Sequence, residues 1–471
     1  MEFPFFELDF AGNRLLIAVV AILHVMINHP LAVGGALFIA RMERRGIQLG
    51  DRRWDQAAYR MLLFCFIITT SLGALTGVGI WLSAALVNPG AIGSLLRVFF
   101  WAWFAEWLVF ITEVLLIIAY VETWKRWDGP RKAAHLRLGY ALAAFSWITM
   151  ALITAILGFM MEPGAWQASH RLVDGILNPL YLPQLAFRTC LAMAMAGAMG
   201  LVGSWWLSER GSAFRQDLVR FSCRWMALWS LPLAAASAWY LAVVPPVMLD
   251  RAPTALGTMR GEGAYPAILT TIVVLLGASA YVALSGWRWP RTLPRWSYAL
   301  PFLALLVLLA AFERTREFVR KPWVIAGYMY ANGIRAEDYP LYQAEGLLKH
   351  HPFASVRAIT DANRLQAGQE VYQIACATCH TTAPGGVNSV HARFEAMLGQ
   401  GPWRSAAVGQ IIASMHGSRA YMPEFPGIPA ERRALAEWLV AQHAIHRPGA
   451  AAPATTTPNP AAAATAAGTE R

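Results

Sequence analysis

Residues 14–45 read RLLIAVVAILHVMINHPLAVGGALFIARMERR. From Leu15 to Ala40 no side chain carries a formal charge, and the run then closes on Arg41, Arg44 and Arg45. That is longer than the roughly 20 apolar residues a helix needs to cross a bilayer. Two histidines, His24 and His29, lie inside the run, where an ionisable group is expensive and by default functional. An apolar run ending in a basic cluster is the pattern by which the whole chain reads.

Working outward, comparable runs occupy 57–87, 95–121, 136–161, 183–207, 225–249, 265–286 and 296–312, which with 15–40 makes about eight spans. Of the 471 residues 57% are hydrophobic and only 14% charged, with a mean hydropathy of +0.41. An ordinary soluble domain carries about 25% charged residues, so a soluble globule and a disordered chain are both excluded. Five cysteines are too few for a disulfide framework; Cys65, Cys190 and Cys223 read as buried, inert thiols. The predicted fold is all-α: a polytopic transmembrane bundle followed by a small helical domain.

The net charge of +11 is spread in short clusters between apolar runs rather than along one stripe, so membrane lipid and not nucleic acid is the expected partner. Arg41, Arg44, Arg45, Arg52 and Arg53 follow the first span, Lys125, Arg126, Arg131 and Lys132 the third, Arg210, Arg215 and Arg220 the fifth, and Arg288, Arg291 and Arg295 the seventh. The intervening loops carry fewer, such as Arg97 alone, or Arg251 and Arg260. The positive-inside rule makes the basic loops cytoplasmic. The N-terminus and everything beyond 313 then lie outside, on the periplasmic face of a bacterial inner membrane. MEFPFFELDFAGNR at 1–14 lacks a basic n-region, so the first span reads as a retained helix and not a cleaved signal. Four segments follow: a bundle at 1–313, a periplasmic connector at 314–359, a small domain at 360–446, and an Ala/Pro/Thr tail at 447–471 that reads as disordered.

The small domain carries GQEVYQIACATCHTTAPGG at 368–386, with Cys376, Cys379 and His380 in a Cys-x-x-Cys-His pattern. Two thiols one turn apart suit covalent attachment of haem, and the adjacent histidine suits its iron. RAYMPEFPGIP at 419–429 offers Met422 as the second axial ligand, which raises the iron potential as an electron carrier needs. A zinc site would want a second ligand pair, and neither His391 nor His416 stands at such a spacing. With predicted helices at 364–375 and 431–443, the segment resembles a class I cytochrome c domain. That resemblance implies two terminal helices crossing over haem c.

Within the bundle, His24 and His29 of the first span, Glu106 and Glu113 of the third, and Glu313 and Glu317 at the outer end of the eighth are the candidate ionisable residues. They read either as haem ligands and proton relays or as hydrogen-bonded polar groups joining helices. The runs 14–38, 73–87, 99–126, 132–163 and 316–327 (REFVRKPWVIAG) resemble subunit I of the cytochrome bd quinol oxidases. The resemblance implies that His24 and Glu317 ligate iron of high-spin b- and/or d-type haem, and that Glu106 and Glu113 lie on the haem and proton route. Arg316 and Arg320 are candidate contacts for haem propionates. Two departures stand out. Arg188 occupies the place of the fifth-helix histidine that holds the family's low-spin haem, leaving it a structural cation or a propionate contact. Only LDRAPTALGTMRGEGAYP, 249–266, replaces the long external quinol-binding loop.

The resulting expectation is a bd-like terminal oxidase that receives electrons through its own haem c and reduces O2 or another diatomic. A periplasmic redox protein would be its donor, and a second bd-like membrane subunit is implied by the resemblance. The rival is a non-enzymatic, membrane-anchored cytochrome c that docks on a partner complex; a transporter has no internal repeat to support it. If both thiols bind haem, denatured protein on a gel retains haem peroxidase staining, and Cys379→Ser loses most of it. Undiminished staining of that variant would contradict covalent attachment.

Overall fold

A computed structural model describes residues 6–257 and 264–446; the tail at 447–471 and Arg260 lie outside these. Seven helices among the described residues are long and apolar enough to cross a membrane: α1 (Asn13–Leu49), α2 (Arg52–Val87), α3 (Pro89–Thr123), α4 (Lys132–Met161), α5 (Tyr181–Leu207), α6 (Ala213–Val243) and α7 (Ala264–Arg288). The count is one fewer than the sequence predicts. The eighth helix, α8 (Leu300–Val319), is present, but Glu313, Arg314, Arg316 and Glu317 crowd its C-terminal part. The consecutive Pro245 and Pro246 end α6 short of the predicted 249, because neither proline can donate to the helix ladder and each disfavours a helical conformation in the residue before it.

Two helices form the centre. The spanning portion of α5 is 83% buried and that of α4 56%, against 22% or less for the others. The reason for α5 is local: TCLAMAMAGAMGLVGS, 189–204, is rich in Ala and Gly, and small residues let neighbouring backbones approach closely. At the α1–α5 contact a Cβ on Gly34 would sit 2.1 Å from the Ala192 carbonyl oxygen, so no larger residue fits. The peripheral helices expose Leu75, Val78, Trp101, Leu115 and Leu231, as side chains facing lipid would be.

Both α1 and α2 widen into π-helical turns, at His29–Val33 and Thr69–Gly73. In α1 the cause is Pro30, which lacks an N–H and crowds the preceding turn. In α2 the hydroxyls of Thr69, Thr70 and Ser71 bond back to the carbonyls of Cys65, Phe66 and Ile67 at 2.8, 2.6 and 2.5 Å. Such back-bonding loosens and bends a helix.

After α8 the chain makes a short antiparallel hairpin, β1 (Trp323–Ile325) with β2 (Met329–Tyr330). Val324, Ile325 and Met329 pack on Ala91, Leu95 and Phe99 of α3 and on Phe159 of α4, and Asn88 Nδ2 donates to the Ala331 carbonyl at 3.2 Å. The remaining chain folds as α9 (Arg364–Ala375), α10 (Val390–Leu398), α11 (Ser405–Ser418) and α12 (Pro429–His446). Helices predicted at 364–375 and 431–443 are thus found as α9 and, slightly longer, α12. Part of the expected connector joins this domain's core: Ile334, Tyr339, Tyr342, Leu347, Leu348, Ala354 and Val356 pack with Val371, Leu435 and Leu439.

Helices α9 and α12 cross in close contact at Gly368, where a Cβ would meet the Ala434 carbonyl oxygen at 2.2 Å. Gly409 of α11 is a matched control, since a Cβ there meets nothing nearer than 3.9 Å. Alanine favours a helix over glycine by about 1 kcal/mol at either site, but overpacking costs about 1–3 kcal/mol. Gly368→Ala should therefore lower the temperature at which the small domain melts, followed by near-ultraviolet circular dichroism, while Gly409→Ala leaves it unchanged or raises it. Equal melting of the two would contradict the crossing.

Candidate haem sites around one shared cavity

The Cys-x-x-Cys-His segment closes a tight turn just past α9. The backbone N–H groups of Cys379 and His380 both donate to the Cys376 carbonyl at 3.0 Å. Asn388, in the left-handed region at φ 57°, fastens this turn from two directions. Its side-chain amide donates to the Cys379 carbonyl at 2.8 Å, and its own carbonyl lies 3.0 Å from His380 Nδ1. Asparagine is among the few non-glycine residues that adopt such a φ readily. With Nδ1–H given to Asn388, the lone pair of His380 is on Nε2. Burial lowers the His380 pKa below its ordinary value, which keeps the ring neutral. The same burial pushes the Cys376 thiol up to about 12.

Met422 stands in the loop between α11 and α12, its N–H donating to the Arg419 carbonyl at 2.8 Å. His416 Nδ1 lies 2.5 Å from the Met422 carbonyl, so this histidine holds the methionine's backbone. Cys376, Cys379, His380 and Met422 line one cavity with apolar walls from Ile411, Ile412, Leu435 and Leu439. This donor set fits a covalently held haem.

The cavity has a volume of about 1820 Å³ and continues into the membrane domain, where His24, Glu106, Glu113, Arg316, Glu317 and Arg320 also line it. Every candidate haem-binding or proton-route residue read from the sequence therefore borders the same space. His24 sits one turn before the π turn of α1. Its Nδ1 is 3.2 Å from the Gly73 carbonyl in the π turn of α2, 3.2 Å from Thr76 Oγ1 and 3.1 Å from Asn28 Nδ2. Gly77 leaves room for the ring, since a Cβ there would be 3.2 Å from His24 Cε1. Donation of Nδ1–H to a backbone carbonyl is the usual arrangement of a metal-binding histidine, leaving Nε2 as the ligand. On α3, Glu113 accepts from Ser146 Oγ at 2.5 Å and Thr149 Oγ1 at 3.2 Å. Glu106, two turns earlier, borders the cavity beside Trp103, whose Nε1–H is buried without a partner.

Arg188 is 1% exposed. Its Nη2 donates to Glu313 Oε1 at 2.5 Å and its Nη1 stands 3.3 Å from His29 Nε2. Arg316 also bonds Glu313, at 3.1 Å, so Arg188 is a cation in a buried network. Glu317 pairs with Arg320 and, at 3.2 Å, with Lys321. These arginines are not exhausted by their partners: Arg316 Nη1 and Arg320 Nε and Nη1 are buried with no acceptor. Unspent guanidinium N–H groups bordering a large cavity fit the carboxylates of a haem.

Sequence reasoning missed the residues that orient the candidate ligands, Asn28, Gly73, Thr76, Asn388 and the His416 contact to Met422, and Ser146 and Thr149, which hold Glu113. It also missed a closed cluster at the other end of the bundle. There Glu43 accepts from Tyr120 at 2.6 Å and meets His135 Nδ1 at 2.6 Å and Lys132 Nζ at 3.0 Å. The basic flank of Glu43 disguised it as part of a solvated loop.

The family described as cytochrome bd terminal oxidase subunit I matches residues 13–264. The family described as cytochrome C oxidase, cbb3-type, subunit III, matches residues 363–439. Among solved structures, the bd oxidase from Geobacillus thermodenitrificans is similar over 69% of this chain and 90% of that chain, at 19% identity with a TM-score of 0.56. At that identity the likeness is one of fold. No curated protein matches the chain. The first match covers more than half of the residues, and so the chain belongs to the family of cytochrome bd terminal oxidase subunit I, as a membrane haem oxidase-like protein fused to a cytochrome c domain.

Proposed function

We propose that this protein is a bd-type oxidase whose electrons enter through its own cytochrome c domain instead of from quinol, with O2 as the terminal acceptor. The observation that carries the reading is the shared cavity, which Cys376, Cys379, His380 and Met422 line at one end and His24, Glu106, Glu113 and Glu317 at the other. Haem at these two ends would supply the one-electron chemistry that the side chains themselves lack.

The chain's own residues would hold, tune and feed those sites. Cys376 and Cys379 would carry haem c, and His380 and Met422 would ligate its iron, a histidine–methionine pair that raises the potential. His24 through Nε2, and Glu317 once released from its ion pairs, would ligate iron in the membrane domain, with the spare N–H groups of Arg316 and Arg320 on propionates. Glu113, held by Ser146 and Thr149, and Glu106 beside it are carboxyls able to hold a proton at the cavity wall. Entry from quinol is disfavoured because the external loop after α6 is short. Within it Arg251 Nη1 is tied to the carbonyls of Val319 and Lys321.

The N-terminal segment touches the cytochrome c domain, Asp9 Oδ1 accepting from Thr382 N at 3.1 Å and Ala383 N at 3.2 Å. Both therefore belong at one end of the bundle. The clusters of arginine on alternate loops make that end periplasmic. A periplasmic redox protein would deliver electrons there, and the exposed apolar flanks would accept lipid or a second bd-like subunit.

A reduced-minus-oxidised spectrum of the purified protein tests this reading. It should show haem c together with b- or d-type bands, and O2 uptake should be supported by ascorbate with a soluble one-electron mediator but not by quinol. His24→Ala should remove a b- or d-type component and keep haem c. A spectrum of haem c alone would leave the anchored electron carrier instead. Met422→Ala should abolish the sulfur-to-iron absorption and slow mediator-driven uptake by at least about tenfold, equivalent to roughly 1.4 kcal/mol of barrier. His416→Ala, which only loosens the methionine loop, should lower the haem c potential by less. An unchanged potential in Met422→Ala would remove that residue from the ligand set.

A further inference from the structure

On the side of the cytochrome c domain that the proposed electron route does not use, α10 and α12 bring together His391, Glu395 and His443. One ligand atom from each lies within 4.8 Å of the other two. His391 and Glu395 are four apart on α10 and so share a face. The other face of α10, through Val390, Arg393, Phe394 and Met397, lines the shared cavity. His443 Nδ1 and His391 Nε2 are 2.9 Å apart.

The His443 ring is held as a metal ligand would be. His443 Nε2–H donates to the Gly401 carbonyl at 2.9 Å, which leaves its lone pair on Nδ1, toward His391. The His443 ring is stacked on Trp403 at 3.7 Å with 3° between planes. His391 is only 5% exposed, yet its Nδ1 has no hydrogen-bond partner and stands 3.9 Å from Glu395 Oε2. A buried polar atom without a partner is uncommon and costs free energy, and here it faces a carboxylate at a separation a hydrogen bond does not span. His446, one turn beyond His443 on the exposed end of α12, has its ring 5.7 Å from that of His391 and can complete a four-ligand set.

We infer that His391, Glu395 and His443 form a site for a divalent transition metal such as zinc, clamping α12 to the helix that walls the haem c end of the cavity. Two imidazoles and a carboxylate suit that class of ion. Zinc binds nitrogen at about 2.0–2.1 Å, which puts two ligand nitrogens roughly 3.3 Å apart at a tetrahedral angle. The observed 2.9 Å therefore needs a shift of only a few tenths of an ångström. The site is separate from the haem ligands, and the inference stands whether or not the oxidase reading does.

The test uses purified full-length protein with its haem c attached, titrated with Zn2+ by isothermal calorimetry, with bound metal counted by elemental analysis after gel filtration. One equivalent should bind, and Zn2+ should raise the melting temperature of the cytochrome c domain, because a ligand that binds only the folded state stabilises it. Losing an outer-shell partner already weakens metal sites by about 10–100-fold, so His391→Ala and His443→Ala should weaken binding by more than about 100-fold. Haem staining should persist in both. Glu395→Gln, a conservative change at a partly exposed position, should weaken binding by at least about tenfold. It decides the matter if the alanine variants fail to retain haem c. No binding, or affinity unchanged in Glu395→Gln and in whichever histidine variants fold, overturns the site and leaves a hydrogen-bonded histidine pair in the domain's core.

Discussion

The burial of Arg188 against Glu313 is the constraint from which the half of the molecule bearing the cytochrome c domain follows. A charge inside a membrane bundle is tolerated only when paired. The pair joins α5, the most buried helix, to α8 across 125 positions of sequence. Removing one partner of such a pair costs about 3–5 kcal/mol because the other is left buried and charged. With α8 fixed on α5, its C-terminal end is fixed as well. The hairpin that follows then seats on α3 and α4, and the cytochrome c domain is carried over the mouth of the cavity.

That placement explains why one continuous cavity meets both candidate haem sites. The Asp9 contacts with Thr382 and Ala383 close the arrangement from the other end of the chain, and the Phe318 ring of α8 packs at a tilt against Tyr421, one residue before Met422, with ring centres 5.4 Å apart. The loop that presents the methionine is thereby in contact with the helix that carries Glu313 and Glu317. The methionine loop of the cytochrome c domain and the charged end of α8 are thus in direct contact.

At three of the candidate histidine ligands the same device recurs. His24 gives one ring nitrogen to Gly73 and His380 gives one to Asn388, both through backbone carbonyls, and His443 does the same with Gly401. A carbonyl that takes the proton from one nitrogen leaves the other as a lone pair, and fixes the ring plane as well. Irregular backbone supplies those carbonyls. Gly73 belongs to a π turn and Asn388 has a left-handed conformation, whereas a regular helix spends its carbonyls on its own ladder.

The spans, the Cys-x-x-Cys-His turn, Met422 and the terminal helices α9 and α12 were legible in the sequence, because each is a local pattern: apolar length, fixed spacing or helical period. The ionisable residues of the spans were legible for the same reason, since a charge in an apolar run is conspicuous. Local pattern failed where environment decides. Residues 314–359 read as a periplasmic connector, yet Ile334, Tyr339, Tyr342, Leu347, Leu348, Ala354 and Val356 of it pack into the cytochrome c core, and the charged end of α8 takes it out of the set that can cross a membrane by composition alone. By itself the sequence determined which residues could do chemistry and which of them share a helix face. Only the tertiary structure decided that Arg188 meets Glu313 and His29, that Gly73 and Thr76 orient His24, and that His391 meets His443. Helical period relates residues along one helix, whereas which helix packs opposite is set by the packing of the whole bundle.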